Sequence, residues 1–208
     1  MSTKPILFNT EMVRAILDGR KSCTRRICKD ANECTVPDMD YYDPDKRTYA
    51  VHNYADKKHT DKLSIAERTC PICPGDILYV RETWHKGLER YIYRANYSDT
   101  EKFYRDGKEI EMKWHPSIHM PKEATRIWLK VTDVRVERLQ DITSKQICKE
   151  GIEVEEPYVL NGEEKRYAFS RLWDSTVKKS DLDRYGWNAN PWVWVIEFER
   201  CERGGIDG

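Results

Sequence analysis

The chain has 208 residues, 39% hydrophobic and 35% charged, and its 36 basic residues are balanced by 36 acidic ones. That length suits one domain, or one domain carrying large insertions. Zero formal charge excludes a protein that coats nucleic acid without selectivity, and no apolar run approaches the roughly 20 residues that cross a bilayer.

The N-terminal stretch MSTKPILFNTEMV lacks the continuous apolar core of a secretion signal. The seven cysteines are odd in number and scattered. A cytoplasmic chain with reduced thiols, no disulfide and no membrane contact is therefore expected. Charge is unevenly spread. Residues 1–30 hold seven basic residues against three acidic, whereas the chain from Leu139 onward is acidic on balance.

Thr10 reads as a helix N-cap with Glu11 in the first turn, where the dipole favours an acid. Met12, Val13, Ile16 and Leu17 follow at helical spacing and Gly19 supplies a stop, which predicts a helix over 11–18. Residues 29–69 are polar, contain Pro37 and Pro44, and lack sustained periodicity. They read as an inserted loop or mobile excursion, the least regular part of the chain. Pro74-Gly75-Asp76 is a turn that launches a strand over 77–84, and 91–95 forms a second.

Ile127, Leu129 and Val131 alternate, then Val134 and Val136 alternate in the opposite phase. A β-bulge near Thr132-Asp133 produces such a slip. Thr143 and Gln146 make a capping box, Ile142 and Ile147 a hydrophobic staple around it, and Gly151 a stop. Phe169, Leu172, Trp173 and Val177 mark an amphipathic helix. A last strand over 192–200 puts Trp192, Trp194, Ile196 and Phe198 on one face. Separated β-rich runs with few helices between them suit an α+β, mainly-β architecture: a closed or nearly closed β-barrel with helices 11–18 and 144–150 outside it.

Several residues carry candidate chemistry. Gly19-Arg20-Lys21-Ser22-Cys23-Thr24-Arg25-Arg26 sets four cations and two hydroxyls directly after a helix stop. Arginine forks and a lysine point charge suit an anion, and a lysine shielded from water can act as a base. An exposed basic turn fits the same spacing. Glu150 sits in the last turn of its helix, where an acid opposes the dipole, and a cation such as Lys21 would relieve the conflict. Cys70 and Cys73 have the spacing of a zinc knuckle, but the only further thiols nearby are Cys28 and Cys34 at loose spacing, so no metal is expected. Pro116 and Pro121 restrict the residues before them and fix Ser117 and His119 in space. Trp84, Trp114 and Trp187 lie at element ends, where a ring can stack on a base or pack at the rim.

KPILFNTEMVRAILDGRKSCTRR, PGDILYVRETW, WHPSIHMP, RIWLKVTDVRVERLQDI and NPWVWVIEFE, in that order, resemble the ASCH-domain proteins common in bacteriophages and prophages. The likeness spares only 29–69 and about 153–166. The signature Gly-x-Lys-x-x-Glu/Thr-x-Arg is matched by Gly19, Lys21, Thr24 and Arg26, with Cys23 standing where the phage subgroup has a polar residue.

The resemblance implies a PUA-like β-barrel, one domain over 1–208 with an insertion at about 29–69, and a cleft centred on Lys21. Its partner would be RNA or a modified nucleoside, without a cofactor. Small ASCH members, about half this length, are amidohydrolases that remove an acetyl group from acetylated cytidine. By that likeness Lys21, Thr24 and Glu150 would be catalytic, with Lys21 activating the Thr24 hydroxyl and Glu150 handling the leaving-group proton. Arg25, Arg26, Arg81, Glu82, Trp84, Ser117 and His119 would bind substrate. Other relatives are ribonucleases, and a binding module without turnover is the rival expectation.

Overall fold

A computed structural model describes residues 1–31, 35–152 and 163–203. Cys34 and residues 153–162 fall outside the described residues. In chain order the elements are β1 (Thr3–Leu7), α1 (Thr10–Leu17), β2 (Cys23–Ile27), β3 (Thr35–Asp43), β4 (Thr48–Tyr54), β5 (Lys62–Thr69), β6 (Ile77–Arg81), β7 (Trp84–Lys86), β8 (Tyr91–Tyr93), β9 (Phe103–Arg105), β10 (Lys108–Ile110), β11 (Trp128–Arg138), α2 (Ser144–Lys149), α3 (Glu163–Thr176), α4 (Leu182–Tyr185) and β12 (Trp192–Cys201).

The main sheet runs β1-β6-β11-β12-β2. Only the β1–β6 pair is parallel. The predicted bulge is present, since the β11–β12 register shifts between Val131 and Asp133. Both faces of β12 are covered. Trp194, Ile196 and Phe198 join the larger core with Ile6, Leu78 and Leu129, while Val193 and Val195 join a second core with Ile147, Phe169 and Trp173. The chain is thus α+β and mainly β.

Among the described residues no strand pairing closes the five-stranded sheet into a barrel. Among the described residues β1 and β2 are the unpaired edges of the five-stranded sheet. A side chain joins them instead: Arg26 on β2 donates from Nη2 to the Leu7 carbonyl at the end of β1, at 3.0 Å.

Asn9, not Thr10, caps α1, because its side-chain oxygen accepts from Met12 N at 2.9 Å and its backbone is extended. Asparagine caps at least as well as threonine, so the helix starts one residue early. The capping box of α2 forms as expected, and Ile142 and Ile147 are buried beside it.

Residues 29–69 depart from expectation. β3, β4 and β5 form an antiparallel three-stranded sheet rather than an irregular excursion. Tyr49 and Val51 on the central strand are buried in the larger core. Tyr49 donates its hydroxyl to Asp30 at 2.8 Å and its ring meets Trp194 edge-on. The strands have weak apolar alternation because their neighbours, not their own pattern, supply the burial. The expected strand 77–84 is also shorter, ending at Arg81 before β7 starts at Trp84.

Asp76 ties the two sheets together. Its fully buried carboxylate accepts from Arg47 (2.6 Å) in the β3–β4 turn, Lys4 (3.1 Å), the Ser2 amide (2.9 Å) and hydroxyl (2.8 Å), and the Cys73 amide (3.1 Å). Cys70 and Cys73 lie in the turn between β5 and β6 that carries Asp76. Cys70 Sγ donates to Ile72 O at 2.9 Å, and burial raises the Cys70 pKa. The six described cysteines are free, and no three metal-ligating side chains converge among the described residues. No helix among the described residues is long and apolar enough to cross a membrane.

Candidate functional site

The helix stop after α1 places Lys21. Gly19 takes a left-handed φ of 76°, and Arg20 N and Lys21 N both return to Ala15 O. Lys21 then pairs with Glu150 as an isolated β-bridge, so strand-like contact brings the basic segment to the end of α2. Gly151 permits this approach. Its φ is 84°, and a Cβ there would lie 2.7 Å from Ala15 Cβ and 3.0 Å from Lys21 Cβ.

The Lys21 side chain has no solvent exposure. Its ammonium donates to Glu150 Oε2 (2.7 Å), Glu150 O (3.0 Å) and Cys23 O (2.7 Å). Arg25 takes the other carboxylate oxygen, Oε1, at 3.0 Å, and reaches Glu137 at 3.3 Å. The acid at the helix end therefore has two cationic partners. An uncompensated buried carboxylate there would cost several kcal/mol. Burial lowers the Lys21 pKa and Glu150 opposes the shift without cancelling it. Its three partners are all acceptors, which is the environment of an ammonium.

Thr24 lies on the opposite face of β2 from Arg25 and accepts from Arg26 Nη1 at 2.9 Å. Among the described residues no hydrogen bond joins Lys21 to Thr24. Lys21 precedes β2 and its ammonium is bonded to Glu150 and Cys23 O, whereas the Thr24 hydroxyl is bonded to Arg26. Cys23 packs inward in the second core, and burial, then Glu150, push its thiol up to about 12.

A cleft of about 300 Å³ opens along β2. Thr24, Arg25, Arg26 and Glu150 line it, beneath Phe169 and Trp173 of α3. Lys21 is not among the residues that line the cleft, and its ammonium is bonded to Glu150, which does line it, and to the Cys23 carbonyl.

The remaining expected residues assemble elsewhere, around Met120. Arg81 donates to Met120 O at 2.7 Å. Glu82 is buried in a two-pronged pair with Arg126 at 2.8 and 2.9 Å. Trp84 packs with Met120 and Ala124. Ser117 and His119 form a short 3-10 turn leading into Met120. None of these five lines the cleft. Trp114 packs on Tyr97 and Phe103, and Trp187 meets Phe169 edge-on.

Sequence reasoning missed the roof. Phe169, Leu172, Trp173 and Val177 read only as an amphipathic helix, yet together with Thr176 they line the cleft. The free edge of β2 beneath it was the missing signal.

No family model matches the sequence, and no curated protein matches it. Two solved structures resemble the chain. One is the hypothetical protein PH0355, at 18% identity, covering 97% of this chain and 100% of that one, with a TM-score of 0.33. Another is the ASCH domain from Lactobacillus crispatus JV V101, at 13% identity over 96% of this chain and 79% of that one, with a TM-score of 0.35. Likenesses at this level carry no weight for fold or function.

Proposed function

We propose that this chain is an ASCH-type protein that admits the base of a modified nucleoside or RNA to the cleft along β2 and hydrolyses an acyl group from its exocyclic amine. The observation that carries the reading is that Glu150, gripped by Lys21 and Arg25, and Thr24 both line one cleft under Phe169 and Trp173. Apolar walls with few convergent polar groups suit a flat heterocycle.

Thr24 is the nucleophile in this scheme. Its hydroxyl proton passes to Glu150 while Oγ1 bonds the amide carbon. The positive charge of Arg25 stabilises the developing oxyanion. The carbon–nitrogen bond then breaks, and Glu150 returns the proton to the leaving amine. Water attacks the Thr24 ester, gives its proton through Glu150 to Thr24 Oγ1, and releases the carboxylic acid. Lys21 is a positioning residue here, in place of the base that the resemblance suggests.

The test is incubation with N4-acetylcytidine, following release of cytidine and acetate. Turnover by the wild type that is lost in Thr24→Ala and Glu150→Gln supports the reading. Binding without turnover in the wild type would instead favour the non-catalytic module, and neither binding nor turnover overturns both.

A further inference from the structure

Beyond the cleft, a second hollow of about 370 Å³ adjoins it, and the two share Arg26 and Ile27 as a common wall. The second hollow is floored by Ile72, Val134, Trp194 and Ile196, and rimmed by Lys29 and Asp30. Asp30 is already engaged as the acceptor of the Tyr49 hydroxyl. Lys29 is exposed. The cleft and the hollow are therefore two mainly apolar recesses either side of one arginine.

Arg26 is suited to an anion lying between them. A guanidinium has five N–H donors. Among the described residues three are used, on Thr24 Oγ1 (2.9 Å), Arg25 O (2.9 Å) and Leu7 O (3.0 Å), and the group packs over the Phe8 ring. The protein bonds fix its plane and leave two donors for a ligand. A fixed guanidinium with spare donors, flanked by a lysine and by a ring-sized recess on each side, matches two bases joined by a phosphodiester.

We infer that the hollow over Trp194 is a second subsite, and that the preferred ligand is a dinucleotide or longer strand rather than a free nucleoside. The base acted on occupies the cleft, its neighbour occupies the hollow, and the linking phosphate lies at Arg26 with Lys29 beside it. This rests on the proposed function, and it commits the same site to a polymeric substrate.

The experiment compares N4-acetylcytidine with dinucleotides carrying that base and one neighbour on its 5′ or 3′ side. Deacetylation is followed by chromatography, and binding by tryptophan fluorescence. One dinucleotide should exceed the nucleoside in kcat/KM by about tenfold or more, the scale of burying one further ring. Lys29→Glu, an exposed change, and Ile72→Trp, which fills the hollow, should each erase that advantage while nucleoside turnover stays unchanged. Equal kcat/KM for nucleoside and both dinucleotides, with the nucleoside turned over, overturns the second subsite alone. An advantage that survives both variants also overturns it. Failure of the wild type to bind or process any of the three ligands overturns the parent reading, and the subsite with it.

Discussion

The Lys21 ammonium and the Glu150 carboxylate lie 2.7 Å apart with almost no solvent between them and the protein interior. Removing either partner leaves the other buried and unpaired. Lys21→Met should therefore destabilise the fold by about 3–5 kcal/mol, and Glu150→Leu by a similar amount. Because Arg25 also holds Glu150, the double variant should lose less than the sum of the two. Urea melts of the four proteins measure this coupling, and strict additivity would show that the pair is not coupled.

The same lysine predicts a pH dependence. Its folded pKa lies below the ordinary 10.5 because burial disfavours the charge. Between the folded and unfolded values, the unfolded chain holds a proton that the folded chain lacks. Stability from this group thus rises with pH across that window, and the full penalty is present below it. Unfolding midpoints of the wild type and Lys21→Met from pH 7 to above 10 isolate the effect. The wild type should gain relative to the variant as pH rises; a relative fall contradicts the shift.

Asp76 predicts the opposite limb. Burial alone would raise its pKa, but the bonds from Arg47, the Cys73 amide and Ser2 outweigh it, and the carboxyl is held well below the usual range. Its stabilisation is complete above about 4, the ordinary Asp value, and is lost as pH falls toward the depressed folded value. Asp76→Asn should cost about 3 kcal/mol at pH 7 and flatten the acid limb. An acid limb identical to that of the wild type would falsify the assignment.

Activity should separate Thr24 from its neighbours. Thr24→Val keeps the shape and removes the nucleophile, and should lower kcat by about 100-fold or more with little change in KM, on the scale of losing a catalytic group. Thr24→Ser should retain most turnover. Phe169→Ala opens the roof and should act mainly on KM. Equal loss in Thr24→Ser and Thr24→Val would remove Thr24 from the chemistry.

Limited proteolysis checks the β3-β4-β5 sheet. Cleavage within 35–54 should be slow because Tyr49 and Val51 are locked into the core. Early nicking there would mean that the three-stranded sheet is not docked.

Local rules made much of this architecture legible. The capping box at Thr143, the bulge after Val131 and the alternation in β12 each depend on residues a few positions apart, and each is found. The oddity of an acid at 150 pointed to a cation, and Lys21 supplies it. What escaped depends on distant partners. Asn9 outcompeted its neighbour as a cap, the 35–69 strands draw their burial from Trp194 and the core beyond, and Arg25 reaches across 125 residues to Glu150. Arg81, Glu82 and Trp84 belong to a separate block of the sequence, and their contacts are spent around Met120. A short motif says which residues travel together, not which way a chain turns afterwards.

Gly151 gives experimental access to the site without touching any charge. A methyl group there would collide with the backs of both Ala15 and Lys21 while leaving each ionisable and hydroxyl side chain in the sequence. Gly151→Ala is thus a purely geometric perturbation. It would pry the end of α2 from the turn after α1 and offer Lys21 a route to water. Comparing its turnover with that of Lys21→Met asks whether the lysine matters for its charge or for where it holds its neighbour.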